Sequence, residues 1–397
     1  VSRSPLRAAA ARLAAVDRLP TAQRAILGHY AETGRFDYRA LRIKSAVDDT
    51  LEAILDDVYA DVESAVAAEL GIEDLTFSYE TKLTLPAELT LGYLYRRALA
   101  RSTDGYDPIA DEIEDRLLAF GTAADRSAPA NREAREYVEA AEEATALIVQ
   151  ALLDGDMRDA INDDEFEDFE VTVPGDADPD RRRIAAVAQS HLQGVVEDAF
   201  DRAPDSVREA YDEAVELSEA HQERDEEFRD LLSAALGGDD GARERIEREY
   251  KFATVPDDAP FDDDERDLPY LKTQYDRVGV IYKGMLDAYR GVGFEIPEAF
   301  GTSIVLAIVG AQIWLDDVDD YRDDVADGQL TPVTAEYVLT GDDATAYENV
   351  VSITMEYFEL ARDHAEQADS PLNGIAVEYI LRSGDPERLP GSPRRLD

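Results

Sequence analysis

Apolar residues recur at threes and fours along most of this chain, and that period commits it to helices. Leu51, Ile54, Leu55, Val58 and Val62 form one such series, and Ala144, Leu147, Ile148, Ala151 and Leu152 another. At 3.6 residues per turn, each series lies on one helix face. The exception is 75–85 (LTFSYETKLTL), whose β-branched and aromatic residues suggest a short hairpin or extended arm. Glycine and proline breakers fall at 105–108, 174–179, 237–241, 256–269 and 291–297. The expected class is all-α. Residues 1–130 form an added helical region, 131–385 a bundle of long helices, and 386–397 a tail.

Charge limits the partners. The chain of 397 residues carries 89 acidic and 40 basic side chains, a net charge of −49, and only five of the basic residues are lysine. In dilute buffer such a charge repels itself, whereas concentrated counterions screen it. High Asp and Glu with scarce Lys is the composition of proteins from salt-accumulating microbes, which accounts for the acidity without a partner. No sustained basic stripe offers phosphate contacts, so nucleic acid is not expected as a ligand. The arginine-containing N-terminus lacks the apolar core of a signal peptide. The apolar run 304–315 is short for a transmembrane segment. The expected location is the cytoplasm.

Several chemistries have no residues to carry them. Cysteine is absent, which excludes disulfides, thiolate metal sites and a cysteine nucleophile. His29, His191, His221 and His364 stand apart and read as surface or cap residues. No phosphate loop, dinucleotide fingerprint or serine elbow occurs.

One acidic segment stands out. Residues 302–332 read TSIVLAIVGAQIWLDDVDDYRDDVADGQLTP, an apolar helix running into Asp316, Asp317, Asp319, Asp320, Asp323 and Asp324. In one unbroken helix Asp316, Asp320 and Asp324, at i, i+4 and i+8, would stack on one face and repel. Mg²⁺ held by carboxylates, water and phosphate oxygens would relieve that repulsion. With 51 aspartates in the chain, Asp-Asp-x-x-Asp recurs at Asp263, Asp264 and Asp267, inside the acidic stretch 255–267, which reads as a solvated loop.

The segment resembles the second aspartate-rich motif of the trans-polyprenyl diphosphate synthases, members of the class I isoprenoid (terpenoid) synthases. Gly310 and Gln312 precede Asp316, Asp317 and Asp320, Asp324 trails them, and Asp327-Gly328-Gln329-Leu330-Thr331-Pro332 stands where the family has its turn. Lys272-Thr273 precedes Asp316 by 44 positions, the place of the family's Lys-Thr pair. Upstream, ALIVQALLDGDMRD is similar to the first motif, with Asp156 and Asp159 in two acidic places and Gly155 in that of the first Asp. The Arg-Arg-Gly after that motif and the upstream Gly-Lys-Arg, which serve isopentenyl diphosphate, have no match.

The resemblance implies an isoprenoid-synthase-like bundle with an N-terminal helical extension, allowing a homodimer. It implies Mg²⁺-assisted ionisation of an allylic prenyl diphosphate, by a terpene cyclase or a divergent polyprenyl synthase. Mg²⁺ would bridge Asp316, Asp317, Asp320 and Asp324 on one helix and Asp156 and Asp159 on a facing one. Lys272, Thr273 and Arg277 would hold phosphate oxygens, with Gln312 beside the motif. Trp314 would face the carbocation, as would Tyr275, Tyr282 and Tyr289, which read equally as one buried stripe. The alternative is a catalytically inactive homologue acting as a partner or regulatory subunit.

Overall fold

A computed structural model describes residues 4–16, 18–71, 74–79, 84–103, 105–109, 128–162, 164–173, 180–256 and 259–393. The chain is all-α, with 77% helix and 2% strand. It divides into two compact units. One comprises 1–37, 209–287 and 295–397, and the other 38–208 and 288–294.

In the second unit, helix Tyr38–Leu70 buries Ala40, Ile43, Val47, Leu51, Val58, Val62 and Val66. It packs on Leu85–Arg101 and Arg181–Phe200, and both of these also pack on Pro129–Asn162. A boundary near residue 130 is therefore not where this unit ends: the faces of Leu85–Arg101 and Pro129–Asn162 are buried against each other. Among the described residues, strand Thr76–Tyr79 of the expected hairpin or extended arm has a distant partner rather than a local one. It pairs antiparallel with Phe169–Thr172, Phe77 opposite Val171. The Phe169 ring lies 4.9 Å from Tyr79 and 6.3 Å from Phe77, centroid to centroid. A bare two-stranded ribbon is marginal in water, and this one is held by its buried aromatic face. Residues 80–83, within the segment expected to be extended, lie outside the described residues, as do the breakers at 174–179.

The first unit is built around helix Glu298–Ala311, which is apolar on all sides and buried from Phe300 to Ala307. With its continuation to Asp317 it is long and apolar enough, by length and composition, to cross a membrane, and 72% of that window is buried inside the fold. It packs on helix Asp343–Gln367. Close approach depends on Gly310, where an added Cβ would lie 2.7 Å from the Phe358 ring. Beside it, the Ser303 hydroxyl donates to the Ala361 carbonyl at 2.8 Å. Helices Pro5–Ala14 and Thr21–Thr33 pack on each other, and the latter on Pro371–Ser383. Residues 386–393 also join this unit: Leu389 is fully buried, and Tyr337 Oη donates to the Pro390 carbonyl at 2.6 Å.

The stretch 255–267 is anchored rather than wholly solvated. Val255, Ala259, Phe261 and Glu265 are buried, and Phe261 packs edge-on against Tyr275 at 5.2 Å. His364 Nε2 meets Glu265 Oε1 at 2.5 Å. Of the histidines read as surface or cap residues, His221 and His364 lie in the last turns of their helices and are buried, against the Phe228 ring and the Glu265 carboxylate.

Gly310→Ala should destabilise the chain by about 1–3 kcal/mol, since Phe358 must move in a close-packed crossing. Chemical denaturation in molar KCl checks this; an unchanged midpoint would contradict the contact.

Candidate functional site

A π-turn takes one more residue than an α-turn and shifts the helix register by one position. Three such turns occur in the first unit, over Ile246–Lys251, Tyr275–Gly279 and Gln312–Asp317. They carry Tyr250, Arg277 and Asp317, which share one electrostatic environment.

The third turn reorganises the aspartate segment. The helix does not continue unbroken through 324: Asp320 is an N-cap with φ −90° and ψ 1°, and a new helix covers Tyr321–Asp327. Helical i to i+4 bonds still link the three expected aspartates, Asp320 N–H to the Asp316 carbonyl at 2.9 Å and Asp324 N–H to the Asp320 carbonyl at 2.8 Å, and Asp320 and Asp316 both act on the Asp324 carboxyl. The shifted register turns Asp317 inward, 2% exposed, and leaves Asp316 and Asp320 exposed. Asp317 Oδ1 receives Arg277 Nη1 at 3.5 Å. Asp317 Oδ2 and Asp324 Oδ2 are buried and lack a hydrogen bond of standard geometry among the described residues, although Gln312 and Thr331 lie near enough to favour the ionised form of Asp317 and Asp324 respectively. Among the described residues, the ligand atoms that gather as a group of three within 4.8 Å are those of Asp262, Glu265 and His364, not those of the 316–324 aspartates; each orphaned oxygen here is a separate desolvated acceptor.

The electrostatics match that geometry. Burial pushes Asp317 up to about 7; Arg277 opposes the shift, and Asp324 and Asp316 add to it. Burial, followed by the charge of Asp320, pushes Asp324 up to about 6. Burial works against the Arg277 charge, but Asp317, Tyr250, Asp316 and Asp225 outweigh it and raise the guanidinium pKa. Burial, with Arg277, Arg224 and Lys272 nearby, lowers His221 to about 4. The site therefore pairs a retained cation with several acids that resist ionising together.

The other expected residues have definite places. Gln312 Nε2 donates to Asp316 Oδ2. Lys272 pairs with Asp276 one helical turn on. The Thr273 hydroxyl donates to the Tyr250 and Tyr270 carbonyls, each at 3.2 Å, tying the first π-turn to the helix that leads into the second. Trp314 is buried, with Nε1 on the Leu381 carbonyl at 3.1 Å. Tyr275 and Tyr282 are buried in the first unit; Tyr289 belongs to the second and shares a 2.7 Å hydrogen bond with Thr145. The turn after the aspartates follows from helix-end chemistry: Gly328 is a left-handed C-cap, and Thr331 and Thr334 form a capping box ahead of Pro332.

Asp156 and Asp159 lie in the second unit. Asp156 stands against the Tyr79 hydroxyl, whose pKa is raised by burial and then by this carboxylate. Asp154 is buried and accepts Gln189 Nε2 at 3.0 Å. Asp159 is exposed, and a Cβ at Gly155 would approach only the Arg158 guanidinium, at 3.9 Å.

Tyr250, Asp225 and His221 join the Arg277 environment without having been picked out in the sequence. Tyr250 Oη donates to the Leu330 carbonyl at 2.8 Å. Asp225 opens an Asp-Glu-Glu run that reads as surface, and a π-turn has no sequence signature.

No protein-family model, curated protein or solved structure matches the chain.

Asp317→Asn should change how stability depends on pH in EDTA-treated protein. The folded carboxyl has its pKa raised to about 7, above an unfolded value of about 3.9. Its favourable contribution is complete below the unfolded value and is lost as pH rises through about 7. The variant should gain stability relative to the parent progressively from about pH 4 to about pH 7, and keep that gain at higher pH. Parallel pH profiles would contradict the buried, proton-retaining carboxyl.

Proposed function

We propose that the chain is a class I isoprenoid-synthase-like enzyme that takes one allylic prenyl diphosphate with Mg²⁺ and releases the diphosphate. One observation carries the reading: Arg277 stands beside buried Asp317, while Asp317 and Asp324 each keep a buried carboxylate oxygen that lacks a hydrogen bond of standard geometry among the described residues. A fixed guanidinium next to acids that resist joint ionisation suits a ligand bringing both metal cations and phosphate oxygens. Magnesium, when bound, supplies charge neutralisation for the departing diphosphate. Arg277 binds phosphate oxygens directly, as a planar donor fixed by its ion pair. Asp317 and Asp324, losing their retained protons to solvent, would hold the metal as carboxylates, and Gln312 would orient Asp316. Lys272 swings from Asp276 to a phosphate oxygen as a mobile point charge. The missing Arg-Arg-Gly and Gly-Lys-Arg favour a cyclase or another single-diphosphate reaction over chain elongation.

The second reading, a non-catalytic homologue serving as partner or regulatory subunit, is favoured by Asp154 and Asp156. Both are engaged with Gln189 and Tyr79 in the packing of their own unit.

Incubation with geranyl through geranylfarnesyl diphosphate in molar KCl and Mg²⁺, with and without isopentenyl diphosphate, separates the readings. The expected result is Mg²⁺-dependent pyrophosphate release without isopentenyl diphosphate. It should fall by roughly a hundredfold or more in Arg277→Gln and Asp317→Asn, and stay unchanged in Asp263→Asn. No turnover of any substrate would sink the enzymatic reading and leave the partner subunit.

A further inference from the structure

Residues 1–31 invert the charge of the chain. They hold five arginines (Arg3, Arg7, Arg12, Arg18 and Arg24) and one acid, Asp17, a balance of +4 in a molecule of −49. The helix Pro5–Ala14 within this stretch has two apolar faces. Ala10 and Ala14 are buried, and the helix packs on Thr21–Thr33. Leu6, Ala9 and Leu13 follow at steps of three and four, which places them on another face, and Val16 follows just past the helix end. That second face is in solvent: Leu6 is 70% exposed, Leu13 50% and Val16 40%. Phe36, in the same unit, is 61% exposed.

The arginines divide by role. Arg7 Nε donates to the Ala31 carbonyl at 2.9 Å and Arg24 Nε to the Ala14 carbonyl at 3.1 Å, fastening this helix to its neighbour. Arg12 and Arg18 are exposed, next to Leu13 and just beyond Val16. An apolar stripe flanked by cations, on an otherwise acidic chain, is the pattern of a helix that lies in a membrane interface.

We propose that the face formed by Leu6, Leu13, Val16 and exposed Arg12 and Arg18 docks on an anionic lipid bilayer. Two features have to be satisfied together, and a bilayer with acidic headgroups satisfies both. Acyl chains cover the stripe, and the headgroups meet the arginines. A second copy placed stripe to stripe would set Arg12 and Arg18 against their equivalents. The acidic remainder of another copy offers charge, but its exposed large apolar residues, such as Leu217, Leu236 and Val325, are scattered in sequence. Salt acts oppositely on the two contributions: it screens the arginines, while salting-out anions strengthen apolar burial.

Co-sedimentation of the full chain with vesicles tests the proposal. The vesicles are equal parts phosphatidylglycerol and phosphatidylcholine, or phosphatidylcholine alone, at about 0.1 M and about 2 M KCl. The parent should pellet with the anionic vesicles, more weakly with the neutral ones, and the difference should shrink at high salt. Leu6→Asp and Leu13→Asp should each lower the partition coefficient by about tenfold or more. Arg12→Glu with Arg18→Glu should lower it chiefly at low salt. Thermal melts show whether each variant is folded, and two separate apolar positions guard against a local defect at either. Absence of pelleting at both salts, equal pelleting of parent and Leu variants, or equal binding to both vesicle types at about 0.1 M KCl would overturn the proposal. Concentration-dependent dimerisation abolished by Leu13→Asp, without vesicle binding, would assign the stripe to a second copy instead.

Discussion

A carboxylate enters a dry interior only if something offsets its lost hydration, and helix Glu298–Ala311 with its π-turn carries one there. Asp317 is the consequence. Arg277 offsets part of the cost, and the rest is met by the carboxyl keeping its proton to about pH 7. Much of the first unit serves that placement. Gly310 lets the helix press on Phe358, and Thr273 ties two π-turns together. Behind the turns, buried Glu336 collects Lys251 and Tyr270, each at 2.5 Å, and Asn349 at 2.9 Å. Tyr270 itself sits at φ +67°, an uncommon conformation for an aromatic residue. Surrounding hydrogen bonds hold it there, including its own N–H to the Lys251 carbonyl at 2.6 Å.

The helical class was legible because period 3.6 is local: the stripe on Tyr38–Leu70 is buried at Leu51, Val58 and Val62 as its spacing implies. What failed to read through was non-local. Strand Thr76–Tyr79 finds its partner beyond helix Pro129–Asn162, and residues 1–37 share a unit with the C-terminal helices. No spacing rule within a short window reports such pairings.

The site was half legible for a related reason. A run of aspartates after an apolar helix marks the segment, and the resemblance places Arg277 beside Lys272 as a holder of phosphate oxygens. Which aspartate turns inward was not legible. The i, i+4, i+8 rule orders Asp316, Asp320 and Asp324, but it does not report that Asp317, in the π-turn, is the aspartate of this segment that is buried. Abundant acid also hides meaning: Asp225 belongs to the Arg277 environment, yet Asp263 and Asp264, with the same local composition, are exposed. Burial and an orphaned oxygen separate Asp317 and Asp324 from the solvated aspartates, and neither is a property of sequence spacing.

The most direct test of the Arg277–Asp317–Asp324 site is calorimetric titration of inorganic pyrophosphate into the full chain in molar KCl, with Mg²⁺ or with EDTA. Binding that requires Mg²⁺ and disappears in Arg277→Gln is the predicted result. Binding indifferent to both Mg²⁺ and Arg277, or none under any condition, would contradict it.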